Sequence, residues 1–181
     1  KQNLLKSHLN SDVISDGMQN QLLENIKRVK AHYGQVVPGV AALLAIYRHR
    51  LSYWFDANKG ESLPAKGLNN LIKQFDECVE YEDLEIFRRF NGLEPEAMAV
   101  CLSKDIIGSK IHTAAERYFS LLKDIKLSLN GRDLIALGFE DGPVIGRIMA
   151  DLLAHEVENR LNLSKEEEIK SIFSILTQKG V

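Results

Sequence analysis

The sequence has few of the features that mark secreted, zinc-binding or membrane-spanning proteins. Its 181 residues include only two cysteines, Cys78 and Cys101, whose spacing matches no zinc motif. We expect both to be small apolar core residues of a cytoplasmic protein, because that compartment keeps thiols reduced. No signal peptide is recognisable, and no apolar run is long enough to cross a bilayer, so we expect no membrane partner.

A positive net charge, which would favour nucleic acid as a partner, is also missing. The chain has 23 Lys and Arg against 25 Asp and Glu, a formal net charge of -2. Its hydrophobic fraction of 45% is typical of a globular protein with a substantial core. Since the chain begins with Lys1 rather than methionine, we expect it to be a piece of a longer protein.

Strand and hairpin patterns are lacking, and helical periodicity dominates the chain. The periodicity predicts an all-α fold of roughly eight or nine helices. We expect a multi-helix body over residues 1–127 and a three-helix tail over residues 128–181. In the body, Gly34 is predicted to end one helix and Pro38 to begin an apolar, central helix.

The start and stop signals of helices are clearest in the predicted tail. Asn130 is expected to cap a short helix that Gly138 ends. Gly142 is a predicted N-cap, and Pro143 the first residue of a long helix, so these two and Gly138 are assigned as structural turn residues. Ser164, with a glutamate three positions later, predicts a capping box for the last helix.

The glycine turn, defined as residues 138–146, has two interpretations. In one, Gly142 and Gly146 only allow a tight loop and close packing of two helices. In the other, free amides at the start of the long helix bind a phosphate at the positive end of the helix dipole. These amides belong to Val144, Ile145 and Gly146. Because Glu140 and Asp141 would repel an anion, a phosphate site centred here would be weak.

A set of residues at fixed spacing runs through residues 129–170. The pattern reads Gly-x-Asp-Leu, Leu-Gly and Gly-Pro-x-Ile-Gly, followed by a long helix and an acidic helix start. It is formed by Gly131, Asp133, Leu134, Leu137, Gly138, residues 142–146 and residues 164–168. With this pattern the segment resembles the C-terminal region of bacterial tRNA nucleotidyltransferases, the CCA-adding enzymes and their poly(A) polymerase relatives. The segment LEPEAMAVCL, residues 93–102, is similar to a preceding helix of that family.

The resemblance implies a helical body and tail that hold a tRNA while a separate catalytic head adds nucleotides to its 3′ end. In that family the head comes first and holds two metal ions with an Asp-x-Asp pair. The nearest carboxylate pair here, Asp12 and Asp16, lacks that context. We therefore expect no catalytic residue, no cofactor and no activity in this chain alone, with Mg²⁺ only in the head. The five histidines are scattered, so no metal site is assigned. The expected partners are a tRNA or other RNA 3′ end and the head of the same polypeptide.

Basic residues are concentrated between positions 27 and 73, where eight Lys and Arg face two acidic residues. There the stretch YRHRLSYW interleaves arginines with aromatic residues, a combination that suits phosphate contact and base stacking in RNA. The other interpretation is that the aromatics fill the core and the arginines cover a solvated face. The side chains predicted to contact RNA are Arg48, Arg50, Lys66, Lys73, Lys110 and Arg117.

A second function class stays open from the sequence alone. The chain could be a protein-interaction or dimerisation module that keeps the family fold without binding RNA, and its acidic tail favours this. Apolar residues of the last helix would then seat a partner or a second copy of the chain. These are Ile169, Ile172, Phe173 and Leu176.

Overall fold

The computed structural model describes residues 15–50, 63–75 and 80–179. Within these ranges every regular element is helical and no strand occurs, which confirms the predicted all-α class. They contain ten α-helices and one short π-helical segment, slightly more elements than the periodicity predicts. No helix among the described residues is both long and apolar enough to cross a membrane.

The helices are numbered here in chain order. The first five are α1 (Asp16–Tyr33), α2 (Pro38–Arg50), α3 (Leu63–Gln74), α4 (Asp83–Phe90) and α5 (Pro95–Cys101). The next elements are α6 (Lys104–Ile107), α7 (Ser109–Arg117) and the π-helical segment Tyr118–Leu122. The last three helices are α8 (Gly131–Ala136), α9 (Pro143–Asn159) and α10 (Lys165–Lys179).

The chain divides into two compact units. Of the described residues, those up to position 81 and residues 88–117 form the first unit, and residues 82–87 and 118–179 form the second. The predicted three-helix tail lies within the second unit. That unit also includes residues 118–127, which the sequence analysis assigned to the body.

Helix α5 lies at the centre of the first unit. Its residues 97–101 have no exposed surface, and it packs against α1, α2 and α3 as well as α6 and α7. Their side chains (Ala, Met, Ala, Val, Cys) are mostly small, which lets several helices approach one backbone. The apolar helix α2 was also expected to be buried, and its described residues Ala41, Ala42, Leu44 and Ala45 are at most 3% exposed.

Two buried polar side chains connect helices of the first unit. The Asn25 amide on α1 donates to the Leu102 carbonyl at 2.7 Å and to the Ser103 hydroxyl at 3.1 Å. The Glu96 carboxylate on α5 accepts the Val37 N–H at 2.7 Å, just before α2 begins. Each bond satisfies a buried polar group that would otherwise destabilise the fold.

The second unit has its own hydrophobic core. Helix α9 packs against both α8 and α10. The buried residues of this core are Leu129, Leu134, Ile145, Ile148, Leu152 and Ile172. The glycine turn leads directly into α9. Because α9 packs into this core, the core fixes the position of the turn within the second unit.

Candidate nucleic-acid interface

The segment before the glycine turn begins with a complete capping box on α8. The Asn130 side chain accepts the N–H groups of Arg132 and Asp133 at 3.0 and 3.3 Å. In return, the Asp133 carboxylate accepts the Asn130 N–H at 3.0 Å. Lys165, the first residue of α10, donates to the same carboxylate at 2.6 Å. The predicted cap is therefore confirmed, and Lys165 and the Asn130 N–H lower the pKa of Asp133.

The backbone of the glycine turn requires glycine at two positions. Gly138 follows α8 with φ of +95°, and Gly142 precedes α9 with φ of +120° and ψ of -148°. Residues other than glycine adopt these backbone conformations only with strain. Pro143 is the first residue of α9, where its missing N–H costs no hydrogen bond. The structural turn residues thus lie where the sequence places them.

The start of α9 has no side-chain cap. Gly142 is the N-cap and has no side chain to accept a hydrogen bond, which leaves the N–H groups of Val144 and Ile145 without an intrahelical acceptor. Val144 is 39% exposed, whereas Ile145 packs into the core. Gly146 lies one position later, where an α-helix bonds the N–H to the carbonyl of residue 142, so its amide is not free as predicted. The feature of Gly146 that matters is therefore its missing side chain.

Close helix packing explains Gly131 better than it explains Gly146. A Cβ built on Gly131 would lie 3.4 Å from Cγ2 of Ile145, so α8 begins directly against the first turn of α9. A Cβ built on Gly146 would have no atom of the described residues within 4 Å, and Gly146 is exposed. The outer face of α9 at Gly146 is therefore open to an approaching group.

An open depression of about 520 Å³ lies where α8 and α9 begin. It is lined by Asn130, Gly131, Arg132, Ile135, Asp141 and Ile145. Arg132 and, on α9, Arg147 are both exposed, and neither was among the predicted RNA contacts. Asp141 places a carboxylate on the same depression, so the charge there is mixed.

The predicted basic contacts belong to the first unit. Lys66 and Lys73 are exposed on α3, and their spacing of seven residues places them on one face of that helix. Lys110 is exposed on α7, whereas Arg117 at the end of α7 is half-buried and donates to the Tyr81 carbonyl at 3.3 Å. The side chains of Arg48 and Arg50 lie outside the described part of the structure.

The apolar residues proposed for partner binding on α10 do not form one exposed surface. Ile172 is only 2% exposed and belongs to the core of the second unit. Ile169 and Leu176 are half-buried against that core, while Phe173 is 54% exposed. Ile172 is therefore unsuited to seat a partner, because the 3.6-residue period of α10 points it towards α9.

No group of three or more His, Cys, Asp or Glu side chains that could hold a metal ion occurs among the described residues. Cys101 is fully buried in α5, and burial raises the pKa of its thiol far above its ordinary value. A thiol in that environment is inert, in agreement with a packing role. Comparison of the chain with protein-family models, with curated proteins and with solved structures gives no match.

Proposed function

We propose that this chain is the RNA-binding part of a protein of the tRNA nucleotidyltransferase or poly(A) polymerase type. It would hold a tRNA, or another RNA 3′ end, for a catalytic head elsewhere in the same polypeptide, in the cytoplasm. The observation that carries the proposal is the exposed, uncapped start of α9. The glycines and proline that form it are the residues on which the family resemblance depends.

The proposed mechanism is positioning rather than chemistry. An anion at a helix N-terminus gains typically about 0.3–1 kcal/mol from the helix dipole, so the start of α9 alone would bind a phosphate weakly. The exposed residues Glu140 and Asp141 reduce that gain further. Most of the binding free energy would come from lysines and arginines that displace counterions from the RNA, which makes the affinity strongly dependent on salt.

A protein-interaction or dimerisation module is the second candidate. The observation that favours it is a set of large apolar side chains with substantial exposure in the second unit: Ile135, Leu137, Val144 and Phe173. Exposed apolar surface of this kind often marks a contact with another protein when it is contiguous. In that case Val144 would contact a partner side chain instead of approaching a phosphate.

The substitution Gly146→Ala tests the RNA proposal with little risk to the fold. The added methyl group meets no described atom, and alanine favours a helix over glycine. If RNA approaches the backbone here, the methyl group obstructs that approach. We expect the Kd for a tRNA transcript to rise about two- to fivefold at 50 mM salt, because the helix N-terminus contributes at most about 1 kcal/mol to the binding of a phosphate.

The matched control is Gly17→Ala, because Gly17 is also exposed in the first turn of a long helix, α1. Its affinity for tRNA should equal that of the unaltered chain. Absence of tRNA binding by the unaltered chain at low salt would contradict the RNA proposal. A molecular mass that rises with protein concentration, without any RNA binding, would favour the interaction module.

A further inference from the structure

Two carboxyl side chains are completely buried in the second unit. Glu156 on α9 and Glu168 on α10 both have 0% exposed surface. Carboxylates are almost never fully buried unless a cation or several hydrogen bonds compensate them. Among the described residues, no lysine, arginine or histidine forms an ion pair with either one, so the compensation must come from elsewhere.

Backbone donors compensate Glu168. Its two carboxylate oxygens accept the N–H groups of Ser128 and Leu129 at 2.5 and 2.6 Å. These bonds connect the first turn of α10 to the segment that precedes α8. Because two N–H groups point at both oxygens, the ionised form of Glu168 fits the site, and a protonated form would lose one acceptor.

Glu156 has no comparable compensation. Neither of its carboxyl oxygens has a well-formed hydrogen bond within the described part of the chain. Burial is the main reason that the pKa of Glu156 is raised to about 7, and the negative charge of Glu168 adds to it. The Leu163 N–H acts in the opposite direction, by favouring the ionised form.

The other charged groups on the elements around Glu156 are occupied or exposed. On α8, Asp133 pairs with Lys165 of α10, while Arg132 is exposed. On α10, Glu167 accepts bonds from the Ser164 backbone and hydroxyl, and Glu166 and Lys170 are exposed. At the end of α9, Arg160 pairs with Asp83, and His155 contacts Asn159. The other charged residues of α9 are Asp151, which is half-buried, and Arg147 and Glu158, which are exposed. Lys126, just before the Ser128–Leu129 donors, is exposed as well. Glu168 is thus the charged group that acts on Glu156.

We propose that Glu156 carries a proton and donates it in a hydrogen bond to Glu168, and that this acid pair is a pH-sensitive contact between α9 and α10. Two ionised carboxylates are acceptors only and repel each other, whereas a carboxyl and a carboxylate attract through the shared proton. When Glu156 loses its proton, two like charges face each other in the core. The second unit then loosens around α9, α10 and the Ser128–Leu129 segment. This inference does not depend on the RNA proposal.

The direction of the pH effect follows from the raised pKa of Glu156. The stabilisation is fully present below the ordinary pKa of glutamate, where Glu156 is protonated in both the folded and the unfolded chain. As pH rises above that value, the unfolded chain loses the proton first, so stability falls. The loss continues until pH passes about 7, where folded Glu156 also ionises.

The test is thermal unfolding of the full chain between pH 5 and 8.5. The Tm of the unaltered chain should fall by several degrees over this range. Glu156→Gln should remove most of that fall and raise the Tm above pH 7.5 by about 3 °C or more, since its amide donates to Glu168 at every pH. Glu158→Gln, which alters an exposed glutamate of the same helix, should keep the fall of the unaltered chain.

The substitution Glu168→Gln should affect the Tm differently from Glu156→Gln. Its amide N–H₂ would face the N–H donors of Ser128 or Leu129, so the Tm should drop at every pH instead of rising at high pH. A Tm of the unaltered chain that stays constant across the range would overturn the proposal. An unchanged pH profile in Glu156→Gln would also overturn it, because the fall would then arise from groups other than Glu156.

Discussion

Arg160 donates from Nε to the Asp83 carboxylate at 2.7 Å while its own backbone is left-handed, with φ of +53°. It ends α9 and is the only residue other than glycine with positive φ among the described residues. Helices commonly end with a glycine in this conformation. The buried carboxylate of Asp83, at the start of α4, explains why an arginine occupies this position instead of a glycine, since only a long cationic side chain reaches that carboxylate.

Replacing Arg160 with glycine should destabilise the protein despite relieving backbone strain. The relief is about 1 kcal/mol, whereas loss of a charge-assisted bond to a buried carboxylate costs about 1.5–3 kcal/mol. We expect the free energy of unfolding to fall by about 1 kcal/mol in urea denaturation. In the Asp83→Asn background the same replacement should be neutral or stabilising. An Arg160→Gly protein more stable than the unaltered chain would show that the ion pair is worth less than the strain.

The local features of the fold could be predicted because glycine, proline and capping residues act through their own backbone. Gly34 ends α1 in the left-handed conformation, and Asn130 caps α8 as expected. The predicted box at α10 forms only in part, because the Ser164 hydroxyl donates to Glu167 instead of accepting from the backbone. A hydroxyl can do either, and the sequence does not decide between the two.

Features that depend on burial were harder to predict. The run of three glutamates at the start of α10 suggests a solvated face, yet Glu168 is buried. The signal that was missed is helical spacing, because residues four apart lie on the same face of a helix. Glu168 lies four residues before the core residue Ile172, and Glu156 lies four residues after the core residue Leu152. The central position of α5 was missed for a related reason: its seven residues are too few to display a period.

Asn25→Ala should strongly destabilise the first unit. The substitution leaves the Leu102 carbonyl and the Ser103 hydroxyl without their amide donor in a buried site. The expected loss is about 1–3 kcal/mol in the free energy of unfolding. Asn20→Ala on the same helix is the control, because Asn20 is exposed and its replacement should change stability by less than about 0.5 kcal/mol. Equal effects of the two substitutions would contradict the bonding described for Asn25.

Alanine substitutions at Gly142 and Gly146 should have opposite effects on stability. Gly142 has φ of +120°, so alanine there should cost about 1–3 kcal/mol through backbone strain alone. Gly146 is helical and unhindered, so alanine should stabilise by about 0.5–1 kcal/mol. Chemical denaturation of both variants measures the difference. Destabilisation by Gly146→Ala would mean that the glycine is needed for packing, and would remove the argument for an open approach to α9.

The double substitution Lys66→Ala/Lys73→Ala tests the electrostatic part of RNA binding. Both lysines are exposed on one face of α3, and no carboxylate is bonded to them among the described residues. The arginines predicted from the sequence to contact RNA, Arg48 and Arg50, would also bind phosphate through their charge. Each lost phosphate contact should reduce the slope of log K against log salt by about 0.7–0.9, so the pair should reduce it by about 1–2. The control Lys126→Ala/Lys170→Ala removes the same charge from exposed positions of the second unit. If both double variants lose affinity equally, the binding reflects overall charge rather than a surface on α3. If only the α3 variant loses affinity, while thermal unfolding of both is unchanged, the α3 lysines contact the RNA backbone.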